Sequence, residues 1–496
     1  MISELRNYSK FIIIIIAVAM VVTGALYGYG RFTGSPESNP QSAYVARVNG
    51  TNITQQEYYN VLRNQSAGRS DITRSQEVPF KLNVLNSMID RELLLQKAEE
   101  MDLKSNVSDE NVNEYIDETL ENNNMSMDEL ENFLEGQNSN LNKFKQDIKN
   151  GLRAENLIKQ VRERSYSDIT VTEEEIVNFY EKIHPQVIAI NFDDDKQTAS
   201  SEIEEALNRI ESGSSFGDVA SEYSDLAAGS KGDLGTLGHD NKYFSGDVTN
   251  RIFELEKGKT SDVIEGDKAF YVVKVLDKKT ATGEEFEEAK EEVRKDLLEE
   301  KQQQAFDNWL QSVKSESNII IEDPLLAGYK AKEEGNINTA ITELEEALES
   351  YPATMTYIYL AQAYQENDQQ DKAIETFEAA LEEFPEDWEV HYNYAMALAD
   401  QEETDKEKAV DLLDNAAEFA GEELMAHYQI YIGYNQLGAE EKAEAEMEKV
   451  VEIQEKLQEQ QKETQPNGEE IETENETGNE NIEVPEENNL DNDDDE

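Results

Sequence analysis

The chain has 496 residues, room for about three domains, with no cysteine and 109 acidic against 44 basic residues, a net charge of −65. Without cysteine there is no disulfide frame, no thiolate metal site and no lipid anchor on an N-terminal cysteine; the charge repels nucleic acid and anionic membrane surfaces. Self-repulsion on that scale suits a salt-loving source, where molar salt shortens the screening length to about 3 Å, or else describes an ordinary solvated acidic surface.

Residues 11–29 are almost wholly apolar (FIIIIIAVAMVVTGALYGY), long enough to cross a hydrocarbon core of about 30 Å. Arg6 and Lys10 precede this run, which favours keeping residues 1–10 in the cytoplasm and exporting the rest. The competing reading is a cleaved signal peptide, for which Thr23-Gly24-Ala25 is a poor cleavage site. The bulk is extracytoplasmic either way, tethered to the membrane as a single-pass protein or secreted. Residues 30–43 read as a flexible stalk.

Residues 44–182 read as a helical lobe. Tyr44 to Thr54 carries a hairpin signal around Asn49-Gly50. Thr54 with Glu57, Ser126 with Glu129 and Thr172 with Glu175 are capping boxes that open helices. From Phe80 to Met101 the residues Leu82, Leu85, Met88, Ile89, Leu93 and Leu95 are apolar on more than one face, which predicts a buried central helix. The segments VARVNGTNITQQEY, SMIDRELLLQKAEEMDL and ITVTEEEIVNFYEK resemble, in that order, the N-terminal chaperone domain of SurA- and PrsA-type foldases.

Residues 184–278 alternate differently. A strand is expected from Val187 to Phe192, helices from Ala199 to Ser212 and from Phe216 to Tyr223, then a Gly-rich loop. A helix near Asp247 to Leu255 and a strand from Ala269 to Leu276 follow. The loop's KGDLG and the later ELEKGKTSDVIEGDKAFYVVKV resemble the parvulin-type peptidyl-prolyl isomerases, the domain type of SurA, PrsA and PpiD. The resemblance implies a four-stranded antiparallel sheet wrapped by helices, with a groove for proline-containing peptides. It also implies two facing histidines with a Cys or Asp between them, positions that fall here on Ala189, Tyr271 and Leu226. None keeps the family residue. The implied proline pocket falls on Phe244, Val248 and Phe253, all apolar. Turning an X-Pro bond crosses a barrier of about 18–20 kcal/mol without a covalent step, so an apolar groove stripped of its polar network points to peptide binding with weak or absent catalysis.

In residues 279–322, Phe286, Ala289, Val293, Leu297, Ala305, Trp309 and Val313 recur at helical spacing, and a short strand follows at Asn318 to Ile321. The foldase resemblance implies that this helix returns to the N-terminal lobe, making the isomerase-like domain an insertion. Residues 324–460 repeat at about 34 residues in the tetratricopeptide (TPR) pattern, four times. The second copy is fullest: Tyr357, Leu360, Ala361, Tyr364, Ala373, Phe377, Ala380 and Pro385. Tyr357, Tyr364, Trp388, Tyr392 and Tyr434 read as core and seam. The third copy has a turn lengthened near Gln401 to Lys406. Residues 464–496 are acidic and are expected to be disordered.

Among the histidines, His184 precedes Pro185 at a junction, and His391 and His427 occupy equivalent repeat positions. His239, beside Asp240, is the polar candidate for the groove. No metal-ligand spacing or cofactor motif is present, and no cofactor is expected. The fold class expected is therefore multidomain and mainly α, with an α+β parvulin-like domain and a C-terminal α-solenoid. The function expected is a membrane-tethered folding factor that binds unfolded exported polypeptide, its repeats docking a protein partner such as export or assembly machinery. An active isomerase using Tyr271, or an envelope-assembly scaffold, are the alternatives.

Overall fold

The computed structural model describes residues 44–66, 73–136, 139–192, 195–350, 352–399 and 406–464. The apolar run at 11–29, the stalk, most of the lengthened turn and residues 465–496 lie outside them. Among the described residues, no helix is long and apolar enough to cross a membrane. The chain divides into two compact units after Leu326.

The first unit opens with β1 (Tyr44–Val48) and β2 (Thr51–Thr54), joined at Asn49 and Gly50 with φ of 50° and 90°, the left-handed pair a two-residue hairpin needs. The Thr54–Glu57 box opens α1 (Gln55–Ser66). Helix α2 spans Arg74–Glu100, six residues earlier than the sequence suggests. Its start is set by Thr73, whose N–H donates to Gln76 Oε1 at 3.2 Å, so Pro79 sits inside the helix instead of opening it. Twelve of its residues are buried, as expected of a central helix, but two of them are Glu92 and Gln96. Gln96 Nε2 donates to the Val48 carbonyl at 3.1 Å, and its Oε1 accepts from Asn49 Nδ2 at 2.8 Å. The central helix thereby grips the hairpin turn. Helices α3 (Asp109–Asn122), α4 (Met127–Gly136) and α5 (Leu141–Ser165) close over Ile116, Leu130 and Ile148, all nearly fully buried. Helix α6 (Glu173–Tyr180) leads out of the lobe.

The second sheet holds β3 (Lys182–Asn191), β5 (Ala269–Lys279) and β4 (Ile264–Glu265), in the order β3–β5–β4, all antiparallel. Helices α7 (Lys196–Glu211) and α8 (Phe216–Tyr223) cover one face through Ile203, Phe216 and Val219. Helix α9 (Gly246–Phe253) covers the other through Val248, Ile252 and Phe253. A four-stranded sheet was the expectation; the described residues form three strands. Residues 232–237 take the outer edge beside β3 but bridge it only at Gln186–Asp233 and Ile183–Leu237. Gly232 and Gly235 adopt φ of 78° and 67°, and Asp233 Oδ1 accepts the Gly235 N–H at 2.8 Å. That local turn breaks the ladder.

Helix α10 (Glu284–Glu316) then runs back along the lobe. Phe286 packs on Ile176 and Tyr180, and Phe306 on Leu94, Ala98 and Val161. Lys314 pairs with Asp90 at 2.7 Å. Strand β6 (Ile319–Ile321) pairs antiparallel with β1, giving the sheet order β2–β1–β6. The segments that flank the second sheet in sequence therefore meet in one structure.

The second unit is helical: α11 (Pro324–Glu333, entered from the first unit), α12 (Ile337–Ser350), α13 (Thr354–Glu366), α14 (Gln370–Glu383), α15 (Trp388–Ala399), α16 (Lys406–Phe419), α17 (Leu424–Leu437) and α18 (Glu440–Thr464). Small residues recur where helices meet: Ala340, Ala361, Ala373, Ala395, Ala409 and Ala443 are all buried. Phe377 stacks on Tyr394 with centroids 5.4 Å apart and planes 10° off parallel. Tyr357, Tyr364 and Tyr434 are buried, while Trp388 and Tyr392 are half-buried. His427 is buried as well, with Glu446 Oε2 2.6 Å from Nδ1 and the Gly421 carbonyl 3.0 Å from Nε2.

Candidate functional site

The three positions that the resemblance singles out come together on one face of the second sheet. Ala189 on β3 is the cross-strand partner of Tyr271 on β5, and Ile264 on β4 flanks Tyr271 on its other side. Leu226 reaches the same cluster because its segment docks on the free edge of β3. Ser224 Oγ accepts the Ala189 N–H at 3.0 Å and donates to the Leu226 carbonyl at 2.7 Å. The Asp225 N–H donates to the Ala189 carbonyl at 2.7 Å, and Asp225 Oδ2 accepts the Asn191 N–H at 2.8 Å. Sequence reasoning passed over Ser224 and Asp225; a short Ser-Asp pair closing a helix is the signal that could have found them.

Phe244, Val248 and Phe253 belong to this cluster too, but as its floor: each is less than a tenth exposed. The Phe244 ring meets Tyr271 edge-on, centroids 5.4 Å apart at 84°. Gly266 permits the arrangement, since a Cβ there would stand 2.7 Å from Tyr271 Cε2 and 3.2 Å from Val248 Cγ2. Leu226, Leu234 and Tyr271 are only partly buried over the floor, and the neighbouring Tyr243 is 38% exposed. What meets solvent is a shallow apolar patch with one phenol. Burial, helped by the Asp267 carboxylate, holds the Tyr271 hydroxyl above the usual phenol range, so it keeps its proton and can donate a hydrogen bond but cannot act as a base near neutrality.

His239 is engaged at the margin of this cluster. Its ring lies on Phe253 with centroids 3.6 Å apart, and Nε2 faces Glu181 Oε2 at 3.4 Å. His184 Nε2 lies 2.7 Å from Asp233 Oδ1. The Gly235 amide first, and His184 second, hold the Asp233 carboxyl below the usual range. This pair fastens the KGDLG loop to β3, an assignment the sequence reading did not make. Gly232 fits there only as glycine, because a Cβ would overlap the Val187 carbonyl oxygen.

Comparison with known proteins follows the same segments. Residues 1–158 match the SurA-like N-terminal domain, 171–291 the PPIC-type PPIASE domain, and 354–397 the tetratricopeptide repeat. The foldase protein PrsA of Clostridium tetani is 23% identical over 352 residues, covering 63% of this chain and 96% of that protein. The chaperone SurA of Chromohalobacter salexigens is 26% identical over 274 residues, covering 51% of this chain and 60% of that protein. Among solved structures, the foldase protein PrsA of Streptococcus pneumoniae is 18% identical, covering 57% of this chain and 94% of that one at a TM-score of 0.24. The chain thus joins a SurA-like N-terminal domain, a PpiC-type domain and C-terminal tetratricopeptide repeats, and is similar to PrsA and SurA foldases.

Proposed function

We propose that this chain is an extracytoplasmic protein-folding factor that holds unfolded polypeptide, and that its PpiC-type domain has lost the usual catalytic dyad. The observation that carries the reading is the convergence of Ala189, Leu226 and Tyr271 over the buried Phe244 and Val248. Where the resembled isomerases place a polar network, this domain presents apolar surface and one protonated phenol. An apolar patch can hold extended segments; it supplies no group to polarise the prolyl carbonyl except the Tyr271 hydroxyl. The run at 11–29 serves as the membrane anchor in this reading, and the repeats dock a protein partner.

The test measures two things on the same full-length sample in high salt. One is exchange of an X-Pro peptide between cis and trans, followed by NMR; the other is suppression of aggregation of an unfolded protein. Suppression with cis–trans exchange at the background rate is the expected outcome. Exchange above background that Tyr271→Phe removes would instead make the domain an isomerase working through its phenol. Absence of suppression would overturn the folding-factor reading itself.

A further inference from the structure

A second site lies in the N-terminal lobe, away from the PpiC-type sheet in sequence and built from α2 and α5. Two residues past the end of α2 the chain turns at a left-handed residue, Asp102 (φ 50°), and the Leu103 N–H returns to the Ala98 carbonyl at 2.9 Å. The chain then crosses toward α5, where Gln160 Nε2 donates to the Lys104 carbonyl at 3.1 Å. Between the two helices and this crossing segment lies a cleft of about 500 Å³. Leu95, Ala98 and Asp102 line it from one side and Asn150, Arg153 and Leu157 from the other. Asn150, Arg153 and Leu157 have the 3-, 4- and 7-residue spacing of a single stripe of α5.

The floor is apolar, and the polar groups are mismatched in one direction. Arg153 Nε and Ser105 Oγ are buried atoms with no hydrogen-bond partner among the described residues. Asn150 Oδ1 already accepts from Gln146 Nε2 at 3.1 Å, so its amide N–H₂ is what it has left to offer. The lining therefore offers three donors. Of the acids in the lining, Asp102 is taken by Lys104. A buried donor without an acceptor is costly, and Arg153 Nε and Ser105 Oγ both stand that way. A ligand that relieves this must bring an oxyanion on an apolar body, since the planar guanidinium matches a carboxylate best.

We propose that this cleft binds the free C-terminal carboxylate of an extended polypeptide whose last side chains are apolar. The inference rests on the folding-factor reading, because unfolded chains are what present free ends to such a protein. The carboxylate takes the Arg153, Ser105 and Asn150 donors, and the terminal side chains cover Leu95, Ala98 and Leu157.

The test uses the full-length chain and a fluorescein-labelled hexapeptide, Ser-Gly-Ser-Ala-Leu-Leu, made with a free carboxylate and as the C-terminal amide. Anisotropy should show the acid binding at least about tenfold more tightly than the amide, the scale of one charge-assisted hydrogen-bonded contact. Arg153→Gln should bring the two peptides to equal affinity, and Ser105→Ala should narrow the ratio. Equal binding by the unaltered protein overturns the inference, as does a ratio that survives Arg153→Gln. Should Arg153→Gln fail to fold by circular dichroism, the ratio in the unaltered protein and the narrowing in Ser105→Ala decide. Decanoate is the competing carboxylate: if it binds at this cleft and the acid peptide does not, the ligand is a fatty acid and the inference fails. Aggregation suppression is measured on the same unaltered sample. Suppression retained without an acid preference defeats the inference alone; suppression lost defeats the folding-factor reading.

Discussion

Replacing Gly232 by alanine tests whether the KGDLG loop is held against β3 by close backbone contact. A φ of +78° is unfavourable for an L-residue by about 1 kcal/mol. The new methyl would overlap the Val187 carbonyl oxygen and stand 3.0 Å from Ala220 Cβ and 3.2 Å from Val187 N. Those are backbone atoms and a buried methyl, so relief requires the loop to lift. Lifting breaks the bond from Val187 N–H to the Gly232 carbonyl (2.8 Å) and that from Leu234 N–H to the Pro185 carbonyl (3.3 Å), about 1 kcal/mol each. The expected loss is therefore about 3 kcal/mol. Gly235 is the control: its φ is +67°, but nothing lies within 4 Å of its would-be Cβ, so Gly235→Ala should lose only the backbone term of about 1 kcal/mol. Hydrogen exchange along residues 269–276, which pair with β3, reads both changes as free energies of local opening. Equal losses in the two variants would refute the steric argument.

Phe244→Ala should destabilise the PpiC-type domain by about 3–5 kcal/mol, because the ring is floor, not surface; hydrogen exchange of the domain checks this, and loss of peptide binding without destabilisation would contradict it. The buried His427–Glu446 pair should make the repeat unit's stability depend on pH. Hydrogen bonding to Glu446 holds the imidazole above its ordinary value of 6.5. Burial alone would push the Glu446 carboxyl up, but His427 and Lys449 bring it below its ordinary 4.5. The pair's contribution is then full between about pH 4.5 and 6.5; it is lost as pH rises through the folded value of His427, and as pH falls through that of Glu446. Thermal midpoints across pH should show both arms, with His427→Gln flattening the alkaline one. Finally, raising NaCl from 0.1 to 1 M shortens the screening length from about 10 to 3 Å, so the thermal midpoint of a chain carrying −65 charges should rise; a fall would mean that attractive ion pairs outweigh the repulsion.

Local signals were the legible ones. Asn49-Gly50, the Thr54, Ser126 and Thr172 boxes, and α8 at Phe216–Tyr223 could be read because each depends on neighbours within a few residues. Helix α2 starts at Arg74, six residues before the expected Phe80, because the Thr73–Gln76 cap lies ahead of the apolar stripe that was read. The missing fourth strand has a similar cause. The sequence of the Gly-rich loop says "turn" correctly, but whether a turn also lies along β3 is decided by long-range bonds such as Ile183 N–H to the Leu237 carbonyl at 2.9 Å. Burial was the hardest to read. Phe244 and Val248 are apolar whether they line a pocket or fill a core, and only packing against Gly266 and Tyr271 places them in the core.

The residues at the three positions named by the resemblance suit one another. Ala189 is 3% exposed, it belongs to the same apolar cluster as Val187, Phe244 and Val273, and its backbone groups are spent on Ser224 and Asp225. An imidazole at that place would need a polar partner within reach, and the positions to which the resemblance assigns one hold Leu226 and Tyr271. Leu226 offers no hydrogen bond, and the Tyr271 phenol offers a single donor. A lone histidine would carry the penalty of a buried polar group, about 1–3 kcal/mol, and would still lack the second half of a dyad. Each apolar choice therefore makes the others less costly to keep. The β3–β5 register that brings Ala189 opposite Tyr271 needs only backbone bonds and the Val187–Val273 and Ile188–Val272 pairs, so the fold holds this geometry without a polar pair at the two positions.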